Sequence, residues 1–210
     1  VSDQWLVHIK EFPMLQWLGC AYTNISHEGL AHLTDLRQLN YLGLNATKIT
    51  PAGLAYLTNM RLTSIDLSEV FISDAGLEYI RTLHQLTSLT MYNTGVTDQG
   101  LAQLRAWTNP NIRDVNFGGN QVTAKGWGHF KNLPNFVRLS LNETPTTDSD
   151  LTELKSFKRL TWLSLINTAV SDAGLVHLQE MSSLIELSLN NTDVTPEGLE
   201  QLAKYLPKCK

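Results

Sequence analysis

Val170-Ser171-Asp172-Ala173-Gly174-Leu175 is the most informative segment of this chain, because closely similar segments recur along it. Ile72-Ser73-Asp74-Ala75-Gly76-Leu77 and Val96-Thr97-Asp98-Gln99-Gly100-Leu101 follow the same order of residue types. A pattern that returns at a fixed period is typical of solenoid proteins, in which each unit packs on its neighbours. The sequence therefore predicts a repeat array.

Each unit also carries an apolar pattern of the form LxxLxL upstream of this stretch. We count positions from the first apolar residue of the unit, which is position zero. The eight zero positions are Leu15, Leu39, Leu62, Leu86, Ile112, Phe136, Leu160 and Leu184. The units are spaced by 24, 23, 24, 26, 24, 24 and 24 residues. Because positions three and five point the same way from an extended chain, the pattern predicts one short, half-buried strand per unit.

The second half of each unit predicts a short helix. Position eleven is always Ser or Thr, the residue types that cap helices, and positions fifteen and eighteen are apolar, as at Leu175 and Leu178. Acidic residues follow the hydroxyl at Asp74, Asp98, Asp148 and Asp172. We interpret them as partners of the positive helix end. Pro51, Ala124 and Pro196 interrupt the acidic row, so no calcium site, other metal site or cofactor is predicted.

Glycine occupies position fourteen in seven of the eight units, and Asp150 replaces it in the sixth. A glycine inside a helix costs about 1 kcal/mol relative to alanine, so the position needs a compensating reason. We expect neighbouring units to approach closely there, which assigns these glycines a packing role and not a phosphate-binding one.

These repeats resemble the leucine-rich repeat family. They are similar to its bacterial T-D-x-G-L type of 24 residues, related to the ribonuclease-inhibitor-like and F-box-associated repeats, rather than to the shorter internalin type. The resemblance implies an α/β fold, a right-handed solenoid or horseshoe with a concave parallel sheet and outer short helices. Position eight is threonine in six units, where the family has asparagine, and a hydroxyl can make part of that turn bond.

The chain is expected to form a single repeat domain over residues 1–210. Residues 1–14 are assigned to the helical half of an incomplete repeat, 15–206 to eight repeats and 207–210 to a C-terminal tail. Val1-Ser2-Asp3 matches Val170-Ser171-Asp172, so we expect the chain to be a piece of a longer one. Cys20 and Cys209 lie about 35 Å apart at roughly 4.8 Å per stacked strand, which predicts that they form no disulfide.

Composition and motifs exclude several classes of function. The 210 residues carry a net charge of −4, which argues against nucleic-acid binding, and no apolar run approaches the roughly 20 residues of a membrane span. His27 and His32 are five residues apart and not four, unlike the helix of a zinc protease. No Gly-x-Ser-x-Gly motif occurs. The sequence therefore predicts a non-enzymatic protein that is a monomer and is not inserted in a membrane.

Positions two, four and six should point into the concave face, where the resemblance implies binding. The candidate binding residues are Trp17, Tyr22, Tyr41, Asp66, Tyr92, Asp114, Arg138, Trp162 and Glu186. Acidic residues outnumber Arg138 on this face, which favours a protein or peptide partner with a basic surface. Carbohydrate or cell-envelope ligand binding by the aromatic side chains is the alternative.

Two places stand out from the regular pattern, and each has two interpretations. Trp17 and Tyr41, above Gly19 and Gly43, form either an anchor pocket or an aromatic cover for the end of the array. At the fifth and sixth units, the longest spacing inserts Trp107-Thr108-Asn109-Pro110 before Ile112, and Trp127 and Phe130 replace helical leucines. These changes indicate either recognition loops or core compensation.

Overall fold

Eight short parallel strands stack in chain order to form one open sheet. A computed structural model describes residues 2–107 and 109–210, so Thr108 of the inserted segment lies outside the described residues. The strands are β1 (Trp17–Gly19), β2 (Tyr41–Gly43), β3 (Ser64–Asp66), β4 (Ser88–Thr90), β5 (Asp114–Asn116), β6 (Arg138–Ser140), β7 (Trp162–Ser164) and β8 (Glu186–Ser188). Each covers positions two to four of its unit, as the apolar pattern predicts.

The register of the sheet pairs equivalent positions of successive units. Leu18 of β1 lies opposite Leu42 of β2, and Leu42 lies opposite Ile65 of β3. These position-three side chains are buried, whereas the residues on either side of them in each strand point to the other face of the sheet. The position-five side chains join the same core, which runs the length of the array. The α/β solenoid is therefore confirmed.

Short helices connect each strand to the next. The α-helices are α1 (Asp3–Leu6), α2 (His27–Leu30), α3 (Ser73–Ile80), α4 (Asp98–Gln103), α5 (Ala124–Trp127), α6 (Leu151–Leu154), α7 (Asp172–Leu175) and α8 (Pro196–Ala203). The 3-10 helices are Ile9–Glu11, Ala31–Leu33, Pro51–Leu57, Leu104–Ala106, Gly128–Asn132 and Val176–Leu178. The second unit has only a 3-10 helix, in which the Gly53 amide donates to the Thr50 carbonyl.

The predicted hydroxyl cap forms in five of the eight units, as at Thr97, whose Oγ1 accepts from the Gln99 amide. The exceptions have local causes. Ser73 has a left-handed backbone (φ 49°) and donates its amide to the Thr94 carbonyl. Thr147 donates its hydroxyl to Asp150, and Thr50 makes no cap hydrogen bond. The cap is thus a property of most units and not of all.

The acidic residue that follows the position-eleven hydroxyl does not act only within its own unit. Its carboxylate contacts the next unit. Asp74 Oδ1 accepts from the Thr97 amide at 2.8 Å, and Oδ2 accepts from the Thr97 hydroxyl at 2.7 Å. The same pair of hydrogen bonds joins Asp3 to Ser26, Asp98 to Thr123, Asp148 to Ser171 and Asp172 to Thr195. The carboxylates therefore join successive units, a role that the prediction from the helix dipole alone did not include.

The close approach expected at position fourteen is confirmed, and at five of the seven glycines a carboxylate supplies its cause. A Cβ at Gly100 would overlap the Asp74 carboxylate, and the glycines that follow the other four carboxylates show the same overlap. The sixth unit, which has Asp150 in place of the glycine, has a different arrangement. There Asp150 itself accepts from the Thr147 amide and hydroxyl, at 2.9 and 2.8 Å, and from the Ala124 amide at 3.0 Å.

The aromatic residues of the fifth and sixth units are buried, so core compensation explains them. Trp127 and Phe130 are 0% and 2% exposed. Phe130 packs edge-on against Phe117, with ring centroids 5.2 Å apart, and Trp127 lies 6.0 Å from Phe157. Larger side chains thus fill the core where the spacing of the units is irregular. None of these rings is available for recognition.

In every unit, the residue at position seven, just after the strand, has a left-handed backbone. These residues are Tyr22, Ala46, Glu69, Asn93, Gly119, Glu143, Asn167 and Asn191. In six units the position-eight threonine then donates its hydroxyl to the position-five carbonyl, as Thr47 does to Leu44 at 2.6 Å. The hydroxyl therefore makes the predicted turn bond. Tyr22, at such a turn, is 75% exposed.

Both cysteines are free, as predicted. Cys20 lies in the core of the first unit, and burial raises the pKa of its thiol to about 11. Among the described residues, no helix is long and apolar enough to span a membrane.

Candidate functional site

The open face of the sheet is the face formed by positions two, four and six. It carries eight of the nine predicted binding residues, and Tyr22 lies at its rim. Serine, threonine, asparagine and glycine fill most of its other positions. Large side chains are therefore conspicuous on this face, and they fall into separate groups along the array.

The first group is a pair of stacked aromatic rings on β1 and β2. The rings of Trp17 and Tyr41 are 4.9 Å apart at an interplanar angle of 5°, and Trp17 is 63% exposed. A Cβ at Gly19 would stand 2.8 Å from Trp17 Cη2, and one at Gly43 would stand 2.9 Å from the Tyr41 hydroxyl. Each ring thus lies over its own glycine. The two rings thus form a flat, exposed aromatic plate, and the two interpretations of it, an anchor for a partner and a cover for the end of the array, both stay predictions.

The second group is a row of three side chains at position two of β5, β6 and β7. Arg138 Nε lies 3.1 Å from Asp114 Oδ1. The guanidinium carbon of Arg138 lies 4.5 Å from the centre of the Trp162 ring. Burial raises the pKa of Asp114, and the charges of Arg138 and Arg113 oppose this shift. The row is therefore a carboxylate, a guanidinium and an indole held in mutual contact.

This row borders a cleft of about 220 Å³ near the middle of the sheet. The cleft is lined by Ser88, Leu89, Thr90, Asp114, Val115, Asn116, Arg138, Ser140, Asn142 and Trp162. Asn142 Oδ1 is already engaged, because it accepts from the Ser164 hydroxyl at 2.6 Å and from the Ile166 amide at 2.9 Å. The cleft therefore offers hydroxyl and amide groups, the cation of Arg138 and the carboxylate of Asp114, whose Oδ1 is buried without a hydrogen bond among the described residues.

Tyr92 lies beside this cleft and spans the fifth unit. Its hydroxyl donates to Glu143 Oε2 at 2.7 Å, and its ring covers Gly118, where a Cβ would stand 2.8 Å from Tyr92 Cδ2. The hydrogen bond to Glu143, followed by burial and by the charges of Glu143 and Glu69, raises the pKa of Tyr92. The sequence did not identify this pairing, and the small residue at Gly118 is the only signal that could have suggested it.

Comparison with known proteins identifies the fold. A family model described as a leucine-rich repeat matches residues 180–203, which lie in the last unit. This chain has a leucine-rich repeat fold. A search of curated protein sequences finds no match. Neither the family model nor the similar structures distinguish the repeat types, so the T-D-x-G-L subtype stays a prediction.

Solved leucine-rich repeat structures resemble this one over nearly all of its length. Internalin C2 of Listeria monocytogenes is similar with a TM-score of 0.66 at 24% identity, over 96% of this chain and 80% of that one. The internalin inlF of the same organism has a TM-score of 0.55 at 21% identity, over 90% of this chain and 64% of that one. A leucine-rich repeat protein of Leptospira interrogans has a TM-score of 0.52 at 19% identity, over 97% of this chain and 62% of that one. This chain thus spans less than two thirds of the latter two.

Asp66 and Glu186 lie apart from the central cleft of this leucine-rich repeat sheet. Asp66 Oδ1 accepts from both the amide and the hydroxyl of Ser68, and its charge, after burial, helps to raise the pKa of Tyr41. Glu186 is exposed on β8, beside Trp162 in the register. The predicted residues therefore form an aromatic plate, a central row and single acidic residues, and not one pocket.

The described residues contain no group of three or more His, Cys, Asp and Glu side chains arranged to hold a metal ion. The chemistry available on the open face is hydrogen bonding, charge pairing and contact with flat rings.

Proposed function

We propose that this leucine-rich repeat chain is a non-enzymatic module that binds a protein or peptide on the open face of its sheet. Leucine-rich repeat folds generally serve as scaffolds for protein binding, and solenoids use their extended sheet surface for it. The observation that carries the proposal is the row of Asp114, Arg138 and Trp162 beside a cleft on an otherwise small and polar face.

The residue types at the two large groups are those that dominate binding energy in interfaces. Tryptophan, tyrosine and arginine are enriched among interface hot spots, and small polar residues around them are usually close to neutral. From β2 to β5 the sheet advances about 14 Å at roughly 4.8 Å per strand, a distance that about four residues of an extended peptide span. One peptide can therefore contact both the aromatic plate and the central cleft.

The charges of the open face favour a partner with a basic surface. Asp66, Glu143 and Glu186 stand on or beside this face together with the paired Asp114 and Arg138. Such an arrangement gives an acidic field that speeds the approach of basic partners, an effect that salt weakens.

The test is affinity capture from a lysate of the source cells with a folded triple variant, Trp17→Ala/Tyr41→Ala/Arg138→Ala. The matched control is Tyr56→Ala/Tyr205→Ala/Arg81→Ala, which removes exposed side chains of the same kinds from the helical side. A partner that only the open-face variant loses supports the proposal. Equal capture by both variants, or no partner for the wild type, contradicts it.

Carbohydrate binding is a second candidate, favoured by the exposed stacked rings of Trp17 and Tyr41. Sugar faces pack on aromatic rings, and neighbouring Asn and Ser side chains can bind hydroxyl groups. Tryptophan fluorescence during titration with glycans tests this candidate. A saturable change in fluorescence that Trp17→Ala abolishes would favour carbohydrate binding over protein binding. No change in fluorescence with any glycan would exclude the sugars tested.

A further inference from the structure

We propose that the central cleft binds the side-chain carboxylate of an aspartate or glutamate in an extended peptide, and that Arg138 is its receptor. This inference rests on the proposed function and specifies which group of the partner enters the cleft.

The guanidinium of Arg138 is contacted on two sides, while 48% of the side chain stays exposed. Asp114 Oδ1 lies 3.1 Å from Nε, and the Trp162 ring lies 4.5 Å from the guanidinium carbon. Among the described residues, neither terminal nitrogen of Arg138 makes a hydrogen bond. Since the guanidinium is planar and its donors form a rigid fork, contacts at Nε and at one face also orient the two terminal nitrogens.

Two acidic side chains near the cleft are already engaged, because Glu143 accepts from the Tyr92 hydroxyl and Asp66 accepts from Ser68. Asp114 Oδ1 lies 3.1 Å from Arg138 Nε but is buried without a hydrogen bond among the described residues. Arg138 is the one cationic side chain among the described residues that line the cleft, so it is the group that an acidic side chain of the partner contacts there. A carboxylate is the planar acceptor that takes two parallel N–H bonds from one guanidinium, and such charge-assisted pairs are stronger than neutral hydrogen bonds.

The preference of Arg138 for a carboxylate is compatible with a partner whose surface is otherwise basic. The acidic field acts over the Debye length, about 10 Å at 0.1 M salt, and governs the approach of the partner. The contact at Arg138 acts at hydrogen-bond distance and governs which residue of the partner enters the cleft. A segment with one acidic residue among basic ones satisfies both.

The backbone favours a side-chain carboxylate over a chain terminus. Terminal carboxylates are commonly captured by free backbone N–H groups. Here the sheet uses these groups: the Arg138 amide donates to the Arg113 carbonyl at 2.9 Å, and the Trp162 amide donates to the Val137 carbonyl at 3.2 Å. The cleft, of about 220 Å³, is large enough for one acidic side chain.

The experiment titrates capped peptides into the isotope-labelled protein and follows the NMR signals of Arg138 Nε–H and the Trp162 indole N–H. The probes are Ac-Gly-Ser-Glu-Ser-Gly-NH2 and its Gln and Lys counterparts, each to about 10 mM because single contacts bind in the millimolar range. We expect a saturable shift with the Glu peptide and binding at least about tenfold weaker with the Gln peptide. Arg138→Gln should abolish the effect, Arg138→Lys should weaken it, and Arg81→Gln should leave it unchanged.

Several results would overturn the inference: equal affinity for the Glu and Gln peptides, stronger binding of the Lys peptide, binding that persists in Arg138→Gln, or no saturable shift. Stronger binding of the free acid Ac-Gly-Ser-Gly-Ser-Gly-OH would overturn the assignment to a side chain. The capture experiment separates the two proposals. If capture still depends on the open face while the Glu peptide does not bind, only the carboxylate inference fails. If capture does not depend on it, the proposed function fails.

Discussion

The carboxylate of Asp74 occupies the space that a side chain at Gly100 would need. Asp74 holds the amide and the hydroxyl of Thr97 at 2.8 and 2.7 Å, and a Cβ at Gly100 would overlap that carboxylate. The aspartate and the glycine of the repeated motif therefore make one contact, in which the aspartate belongs to one unit and the glycine to the next.

This relationship predicts that Gly100→Ala destabilises the fold. The new Cβ displaces the Asp74 carboxylate and costs about 1–3 kcal/mol of the free energy of unfolding, measured by urea denaturation. Gly128→Ala is the matched control, because the nearest atoms to its Cβ belong to Glu153 at 3.8 Å. It should be neutral or stabilise by about 0.5–1 kcal/mol. Equal destabilisation by both variants would contradict this account.

The sixth unit predicts a compensating pair of substitutions. Asp150→Gly removes the acceptor of the Thr147 amide and hydroxyl and should cost about 1–2 kcal/mol. Ala124→Asp adds a second carboxylate beside Asp150 and should also destabilise. Together they restore the usual order of aspartate in one unit and glycine in the next. A double-mutant cycle of urea unfolding should give a favourable coupling of about 1 kcal/mol or more, and additive effects would disprove the exchange.

The sequence predicts those parts of the structure that depend on the repeat period. Strand positions, the buried leucines and the close approach at glycine follow from alternation and spacing, because every unit meets the same surroundings. The pairing of Tyr92 with Glu143 does not follow, since the two residues are 51 positions apart and belong to units that are not adjacent. The sequence places Trp17 and Tyr41 together above Gly19 and Gly43, but the parallel stacking of the two rings does not follow, because residue types do not fix the rotamers that lay them on the glycines.

The contacts of Asp172 predict a loss of stability in acid. Hydrogen bonds from the Thr195 amide and hydroxyl lower the pKa of Asp172 below its ordinary value of 3.8. A lowered pKa in the folded state stabilises the fold above the ordinary value, and the contribution is lost as the pH falls through the folded-state value. Asp172→Asn should therefore be less stable than the wild type at pH 7, and the difference should narrow below pH 3.8.

The control for this prediction is Asp193→Asn. Asp193 is exposed, and its side chain makes no hydrogen bond to the described residues. Its replacement should leave the pH dependence of urea unfolding close to that of the wild type. If the gap between the wild type and Asp172→Asn stays constant from pH 7 to pH 3, the hydrogen bonds to Thr195 do not stabilise the ionised carboxylate.

A buried and an exposed tryptophan together test whether the bulky side chains of the fifth and sixth units fill the core. Trp127 is fully buried against Phe157, so Trp127→Leu, which restores the regular residue type, leaves unfilled volume and should cost about 1–3 kcal/mol. Trp17 is 63% exposed, so Trp17→Leu should change stability by less than about 1 kcal/mol while it removes the stacked plate. Urea denaturation measures both. If Trp127→Leu is as mild as Trp17→Leu, the bulky residues of the fifth and sixth units are not needed to fill the core.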